Sequence, residues 1–278
     1  MRLSRYLLIL LVAGSAHADI EGYLIGGGVE ADSDQGLRGS LIAAVGLNAD
    51  TWLSGGFAAS SVELASGRSS DTVYGDIELD HHFNPVGIAI GAAYWGDPDL
   101  LDSIDLRASA YYRNDKFTLA GEYEFRDFDL TIPATQFFPG REFAFDADGI
   151  GARARVKFTD SFSMSASAMK YDYSVDFRPN ENRDAAGLLT VSRLSLINNL
   201  IDSRASLAVA LDAGLQRWEL DFSTWKSVID QSRTKSVTIN YLRPLTGKTD
   251  IEFGLGYDDS DLYGDVTFLS VYFYFYGS

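Results

Sequence analysis

The 278-residue chain contains no cysteine. That excludes disulfides, thiolate metal sites and a lipid-modified Cys behind a leader, so the protein is not a lipoprotein. Histidine is almost as scarce. Of three residues only His81 and His82 lie beyond the leader described below, which narrows the acid–base and metal chemistry on offer. Beyond residue 18 no apolar run reaches the roughly 20 residues that a membrane-spanning helix needs. Cations are also short, with 23 Lys and Arg against 39 Asp and Glu and a net charge of −16. Nucleic-acid binding rests on neutralising phosphates with Lys and Arg, so that class is set aside.

What is present begins with a leader. Arg2 and Arg5 precede the apolar run from Tyr6 to Ala13, which leads into Ala16-His17-Ala18 before Asp19. That order is the order of a secretory signal peptide, expected to be cleaved after Ala18. Losing residues 1–18 removes two Arg and no acid, so the net charge moves from −16 to −18. Residues 19–278 are then expected to form a single domain.

From Asp19 onward almost every segment alternates with period two. In 117–125, Phe117, Leu119, Gly121, Tyr123 and Phe125 share one face, while Thr118, Ala120, Glu122 and Glu124 share the other. A helix would scatter these residues, whereas a strand separates them. The whole chain reads as about fourteen strands: 20–31, 36–47, 51–63, 71–83, 86–95, 103–113, 116–130, 143–158, 161–177, 187–196, 204–222, 233–243, 250–258 and 263–276. Twelve strands result if 187–196 and 250–258 are irregular parts of hairpins; sixteen would need strands too short to span. Two strands change phase, and β-bulges near Ala168 to Lys170 and near Gln216 to Arg217 are expected. Extension of the strands past the bilayer is the alternative.

Alternate connections are tight: Asn48-Ala49-Asp50, Asn84-Pro85, Asn114-Asp115, Thr159-Asp160, Asn198 to Ser203, and Leu245 to Asp250. Those between are mostly longer and polar, among them Ala65 to Ser70, Gly96 to Asp102, Pro133 to Glu142, Arg178 to Gly187 and Ser223 to Ser232. Short turns on one side and long loops on the other mark an outer-membrane barrel with both termini in the periplasm. A mean hydropathy of −0.05 agrees, because only alternate residues face lipid. The expected fold is an all-β transmembrane antiparallel up-and-down β-barrel. Trp52, Trp95, Trp218 and Trp225 read as an interfacial belt, the first after a short turn and the others toward outer strand ends.

The last strand carries Leu269, Val271, Phe273 and Phe275 on one parity and Tyr272, Tyr274 and Tyr276 on the other, followed by Gly277-Ser278. On this pattern, over residues 19–278, the chain resembles Gram-negative outer-membrane β-barrel proteins of the porin-like kind. The resemblance implies residence in the bacterial outer membrane and contact with its lipid. It also implies recognition of the aromatic last strand by the barrel-assembly machinery. The trailing Gly277-Ser278 departs from the terminal Phe common in that group.

With the polar parity inward, one strand offers Asp76, Glu78, Asp80 and His82, and another Asp105, Arg107 and Arg113. The next two offer Glu122, Glu124 and Arg126, then Arg153, Arg155 and Lys157. These residues read as a pore lining whose acidic wall and basic ladder set a transverse field. They also read, compatibly and in the first place, as a structural network in which Glu122 and Glu124 pair with Arg153 and Arg155 across adjoining strands. Phe137, Phe138 and Arg141, in the loop from Pro133 to Glu142, are the candidate constriction. Gly26-Gly27-Gly28 lacks the Lys-Ser/Thr of a phosphate loop and reads as close packing in a closed sheet. Gly87, Ala89, Gly91 and Ala93 read as a small inner face that leaves room for a channel.

The expected function is a passive channel for small solutes, with no cofactor and no metal. A structural or adhesive surface barrel is the second reading, and an outer-membrane hydrolase using His82 as base the third.

Overall fold

The computed structural model describes residues 21–63, 69–97, 100–132, 141–175, 200–261 and 263–277. They form fourteen strands: β1 (Gly22–Asp32), β2 (Leu37–Asn48), β3 (Thr51–Glu63), β4 (Ser69–His82), β5 (Val86–Asp97), β6 (Leu101–Arg113) and β7 (Phe117–Ile132), then β8 (Arg141–Lys157), β9 (Phe162–Tyr173), β10 (Ile201–Ala213), β11 (Gln216–Ser227), β12 (Arg233–Thr246), β13 (Thr249–Ser260) and β14 (Gly264–Gly277). Each strand pairs antiparallel with its neighbours in sequence, and β1 closes the ring against β14. Closure removes every sheet edge, which a spanning sheet must do because lipid cannot satisfy backbone N–H and C=O groups.

Two faces follow from the alternation. The outward face carries Ile25, Leu41, Phe57, Ile90, Leu106, Leu119, Leu207, Ile239, Leu255 and Phe273, all exposed. In water such a surface would be an aggregation hazard; in a bilayer it is the face that lipid covers. The shortest strand has 11 residues and the longest 17. At about 3.4 Å per residue both cross the ~30 Å hydrocarbon core even when tilted.

Both chain-end strands meet at the short-turn end, where Tyr23 lies opposite Gly277. The glycine run of β1 has a specific role there. On the inner face a side chain on Gly26 would run into the Tyr274 ring, and one on Gly28 into the Tyr272 ring. The tyrosines lie across the bare backbone, and Ser40 Oγ donates over Gly28 to Tyr272 Oη at 3.2 Å. Gly87 and Gly256 are covered in the same way by Tyr111 and Phe268. The space beside Gly87 therefore holds an aromatic ring and is not left to the lumen.

Several expectations are corrected. The segment 204–222 is two strands, β10 and β11, joined at Gly214-Leu215, with Gly214 at φ 67°. Ala213 lies opposite Gln216 and Leu211 opposite Trp218. A two-residue turn flips the parity of the lipid-facing set just as a one-residue bulge would, and this explains the phase change. Near Ala168 to Lys170 the pairing with β8 and β10 runs without interruption. There the strand leaves the bilayer, so the outward face switches from Ala168 to Lys170 and Asp172. Ile201 to Ser203 begin β10 at the long-loop end and are not a short turn. The expected strand 187–196 lies outside the described residues, as does the leader. Trp218 sits beside the short turn 214–215, and Trp95 is buried on the inner face, so neither belongs to an outer belt. Trp225 also faces inward, opposite Arg204 and Thr234.

Candidate functional site

The pairing register stacks inward residues into rows around the wall. Asp76, Ala93, Asp105, Arg126 and Ala147 form one row, and Glu78, Gly91, Arg107, Glu124 and Gly149 the next toward the short-turn end. Asp80 and His82 continue β4 on the same face, opposite Ala89 and Gly87. Glu122 lies opposite Gly151, and Arg153, Arg155 and Lys157 lie opposite Ser167, Ser165 and Ser163. All twelve positions thus share the inner face of β4 and β6 to β8.

They do not behave alike. Asp105, Glu124 and Arg126 are drawn into a buried knot in the wall. Arg126 Nε lies 3.3 Å from Asp105 Oδ1 and 3.7 Å from Glu124 Oε1. Its guanidinium carbon is 5.1 Å from the Trp95 ring centre, 4.9 Å from Phe128 and 5.4 Å from Tyr171. The carboxylates take further donors. Trp95 Nε1 (3.0 Å) and Ser103 Oγ (2.6 Å) donate to Asp105, while Tyr171 Oη (2.8 Å) and Arg204 Nη2 (3.3 Å) donate to Glu124. Buried charge survives only with partners on every side, and this set supplies them.

Elsewhere the charges stay wetter. Arg153 reaches Glu122 diagonally across β7 and β8. Arg107 contacts Asp76 at 3.8 Å and Tyr74 Oη at 3.2 Å. Lys157 pairs with Asp160 at 3.2 Å. Glu124 takes Arg126 and Arg204, not Arg153 or Arg155 as cross-strand adjacency had implied. Tyr111 Oη donates to Asp80 Oδ1 at 2.6 Å, and its ring stacks on His82 at 5.9 Å between centres. His81 points outward, its Nδ1 2.8 Å from Thr51 Oγ1.

Two features of the inner face escaped the reading of the residues. One is a hydroxyl wall on β9 to β12: Ser167, Ser206, Ser223 and Ser236 follow one another across four strands, with the Ser167 and Ser206 Oγ atoms 2.8 Å apart. The other is an apolar cluster toward the long-loop end, where Trp95, Leu101, Phe128, Phe145 and Ala147 pack with Leu200 and Ile229. Its signal was available, since Trp95 continues the parity of Gly87 to Ala93 and Phe128 that of Glu122 to Arg126. Of the expected constriction, Phe137 and Phe138 lie outside the described residues; Arg141 opens β8 opposite Ile132.

No protein-family model and no curated protein matches the chain. Solved structures do. The CymD monoaromatic hydrocarbon channel is similar over 92% of this chain and 88% of its own, with a TM-score of 0.57 at 11% identity. OmpT of Vibrio cholerae, expressed in the outer membrane, is similar over 93% and 97%, with a TM-score of 0.54 at 8% identity. The fold is that of an outer-membrane β-barrel. A TodX variant, also a monoaromatic hydrocarbon channel, gives a TM-score of 0.51 at 8% identity over 92% and 88% of the two chains. The barrel's closed sheet and apolar exterior fit the bacterial outer membrane.

Proposed function

We propose that the barrel is a passive channel for small polar solutes. Its lining would be Asp76, Glu78, Asp80, His82, Arg107, Glu122, Arg153, Arg155 and Lys157, with Asp105, Glu124 and Arg126 held in the buried knot of the same wall. One observation carries the reading: Arg153, on the inner face, keeps 63% of its side chain exposed. Eight strands enclose a space that side chains fill, and larger barrels open toward a water-filled lumen. An arginine that is both inward and solvated belongs to the second kind.

The wall would sort solutes by charge. β8 carries Arg153, Arg155 and Lys157, while β11 and β13 carry Glu219, Asp221 and Glu252 on the same inner face. Such an arrangement sets a field across a passing solute. The knot around Arg126 would act as the rigid part of that wall, holding the exposed charges in place.

The test is conductance across planar bilayers, with swelling of liposomes by small sugars. Stepwise conductance is expected, and changing both Arg153→Glu and Arg155→Glu should move the reversal potential toward cation preference. A folded barrel that neither conducts nor admits sugars refutes the proposal.

A further inference from the structure

A second charged feature lies outside the lumen, on the lipid side of β9 to β12. Lys170, Ser203, Lys226 and Arg233 are consecutive register partners and form one straight row across four strands on the outward face. Adjacent partners in such a row have Cβ atoms roughly 5 Å apart. Among the described residues none of the three cations has an ion-pair partner, whereas Lys235, one row on, already faces Asp259 at 4.0 Å.

The row sits at a particular height. Toward the bilayer centre the same face continues through Ala168, Ala205, Thr224 and the ion-paired Lys235 to Leu207, Phe222 and Val237, which lipid covers. Away from it come Asp172 on β9 and Asp261, whose Oδ2 accepts the Arg233 backbone N–H at 3.1 Å. The cations therefore stand where the hydrocarbon ends, on the side of the long loops. On β8 and β7 the row continues as Ile150 and Tyr123, and nearer the loops those strands are acidic on the outward face, with Asp148 opposite Asp172 and Asp127 opposite Asp146.

Beneath the cations the wall is hollowed. An open groove of about 610 Å³ runs under the row, floored by Ala152, Ala168, Ala205 and Thr224. That volume falls within the ~300–1,000 Å³ of ordinary ligand sites. A cationic rim at the membrane surface above an apolar groove is complementary to one kind of molecule, an anionic headgroup with chains attached.

We infer that Lys170, Lys226 and Arg233 hold the phosphate groups of a phosphorylated, multiply acylated lipid of the outer leaflet, with one acyl chain in the groove below. The site is separate from the lumen and independent of conduction.

The test uses the full barrel in neutral maltoside micelles, titrated with diphosphoryl lipid A and read by native mass spectrometry. The variant carrying Lys170→Gln, Lys226→Gln and Arg233→Gln together should lose about a hundredfold in affinity, each cation at a charged membrane surface being worth about fivefold. Equal affinity in a variant that retains heat-modifiable gel mobility overturns the assignment. Inorganic phosphate at matched phosphate concentration should not displace the lipid; equal displacement overturns the acyl part and leaves only a phosphate site. Ala168→Trp, which fills the groove and spares the cations, should weaken binding at least tenfold, and unchanged affinity has the same adverse meaning. For the native chain alone, raising ionic strength must weaken binding, and indifference to salt overturns the proposal whether or not the triple variant folds.

Discussion

Replacing Arg126 by Leu tests whether the knot in the wall is structural. Arg126 and Asp105 are each 5% exposed and Glu124 is 6% exposed, so solvent cannot take over the lost interaction. Removing one partner of a buried ion pair costs about 3–5 kcal/mol, because the other charge is left behind. Loss of the stack on Trp95, Phe128 and Tyr171 adds about 0.5–2 kcal/mol. Glu124 keeps Arg204 and Tyr171, so the orphaned charge is Asp105 alone, and with the lost stack the expected total is about 3.5–7 kcal/mol. If that reasoning holds, changing Asp105→Leu as well removes the orphan. It still leaves Trp95 Nε1 without its acceptor, at about 1–3 kcal/mol. The double variant should then be about 2 kcal/mol more stable than the sum of the single effects. Urea unfolding in phospholipid vesicles, followed by Trp fluorescence with Trp95 inside the knot, reads all four states. An Arg126→Leu variant within about 1 kcal/mol of the native chain, or strictly additive effects, would show that the pairing contributes nothing.

Two further outcomes use the same unfolding assay. Leu255, 48% exposed on the lipid side, should cost about 2–4 kcal/mol when changed to Arg, while Ser206→Arg on the hydroxyl wall should cost less than about 1 kcal/mol; equal costs would mean the two faces are misassigned. Gly214 has φ 67° and nothing near its missing side chain, so Gly214→Ala should cost about 1–2 kcal/mol through backbone strain alone. Asn, which tolerates that conformation, should cost less than Ala; the reverse order would place the strain elsewhere.

The architecture was legible because a spanning strand obeys a simple rule while it is inside hydrocarbon: apolar outward, anything inward. Ile77, Leu79 and Phe83 against Asp76, Glu78, Asp80 and His82 could be separated by parity alone. The errors arose where the rule stops applying. At Lys170 and Asp172 the outward face has left the bilayer, and Tyr171 and Tyr173 on the inner parity mimic a lipid face. At Gly214-Leu215 the turn contains none of the Asn, Asp or Pro that marked the others, and Leu215, 83% exposed, disguised it as strand. Length was the missed signal, since nineteen residues at about 3.4 Å each would run roughly 65 Å, twice a bilayer core. Within the lumen the charged positions could be placed but not paired. Which acid meets Arg126 depends on stagger between strands and on inward aromatics, and neither is a property of one strand's alternation.

The seam of tyrosines over glycines between β1 and β14 has a kinetic consequence. Every other pairing joins neighbours along the chain, whereas Ser40 and Tyr272, which meet across this seam, stand 232 positions apart. Hairpins can form as soon as their two halves exist; the seam must wait for the whole ring to be nearly in place. Loop closure costs only slowly more with length, so the delay is one of sequence of events more than of free energy. Until that moment the backbone groups of both end strands lack each other as partners. The rings of Tyr272 and Tyr274 are therefore the last latch set, and a change at Gly28 should lengthen the life of the unclosed sheet before it alters the finished barrel.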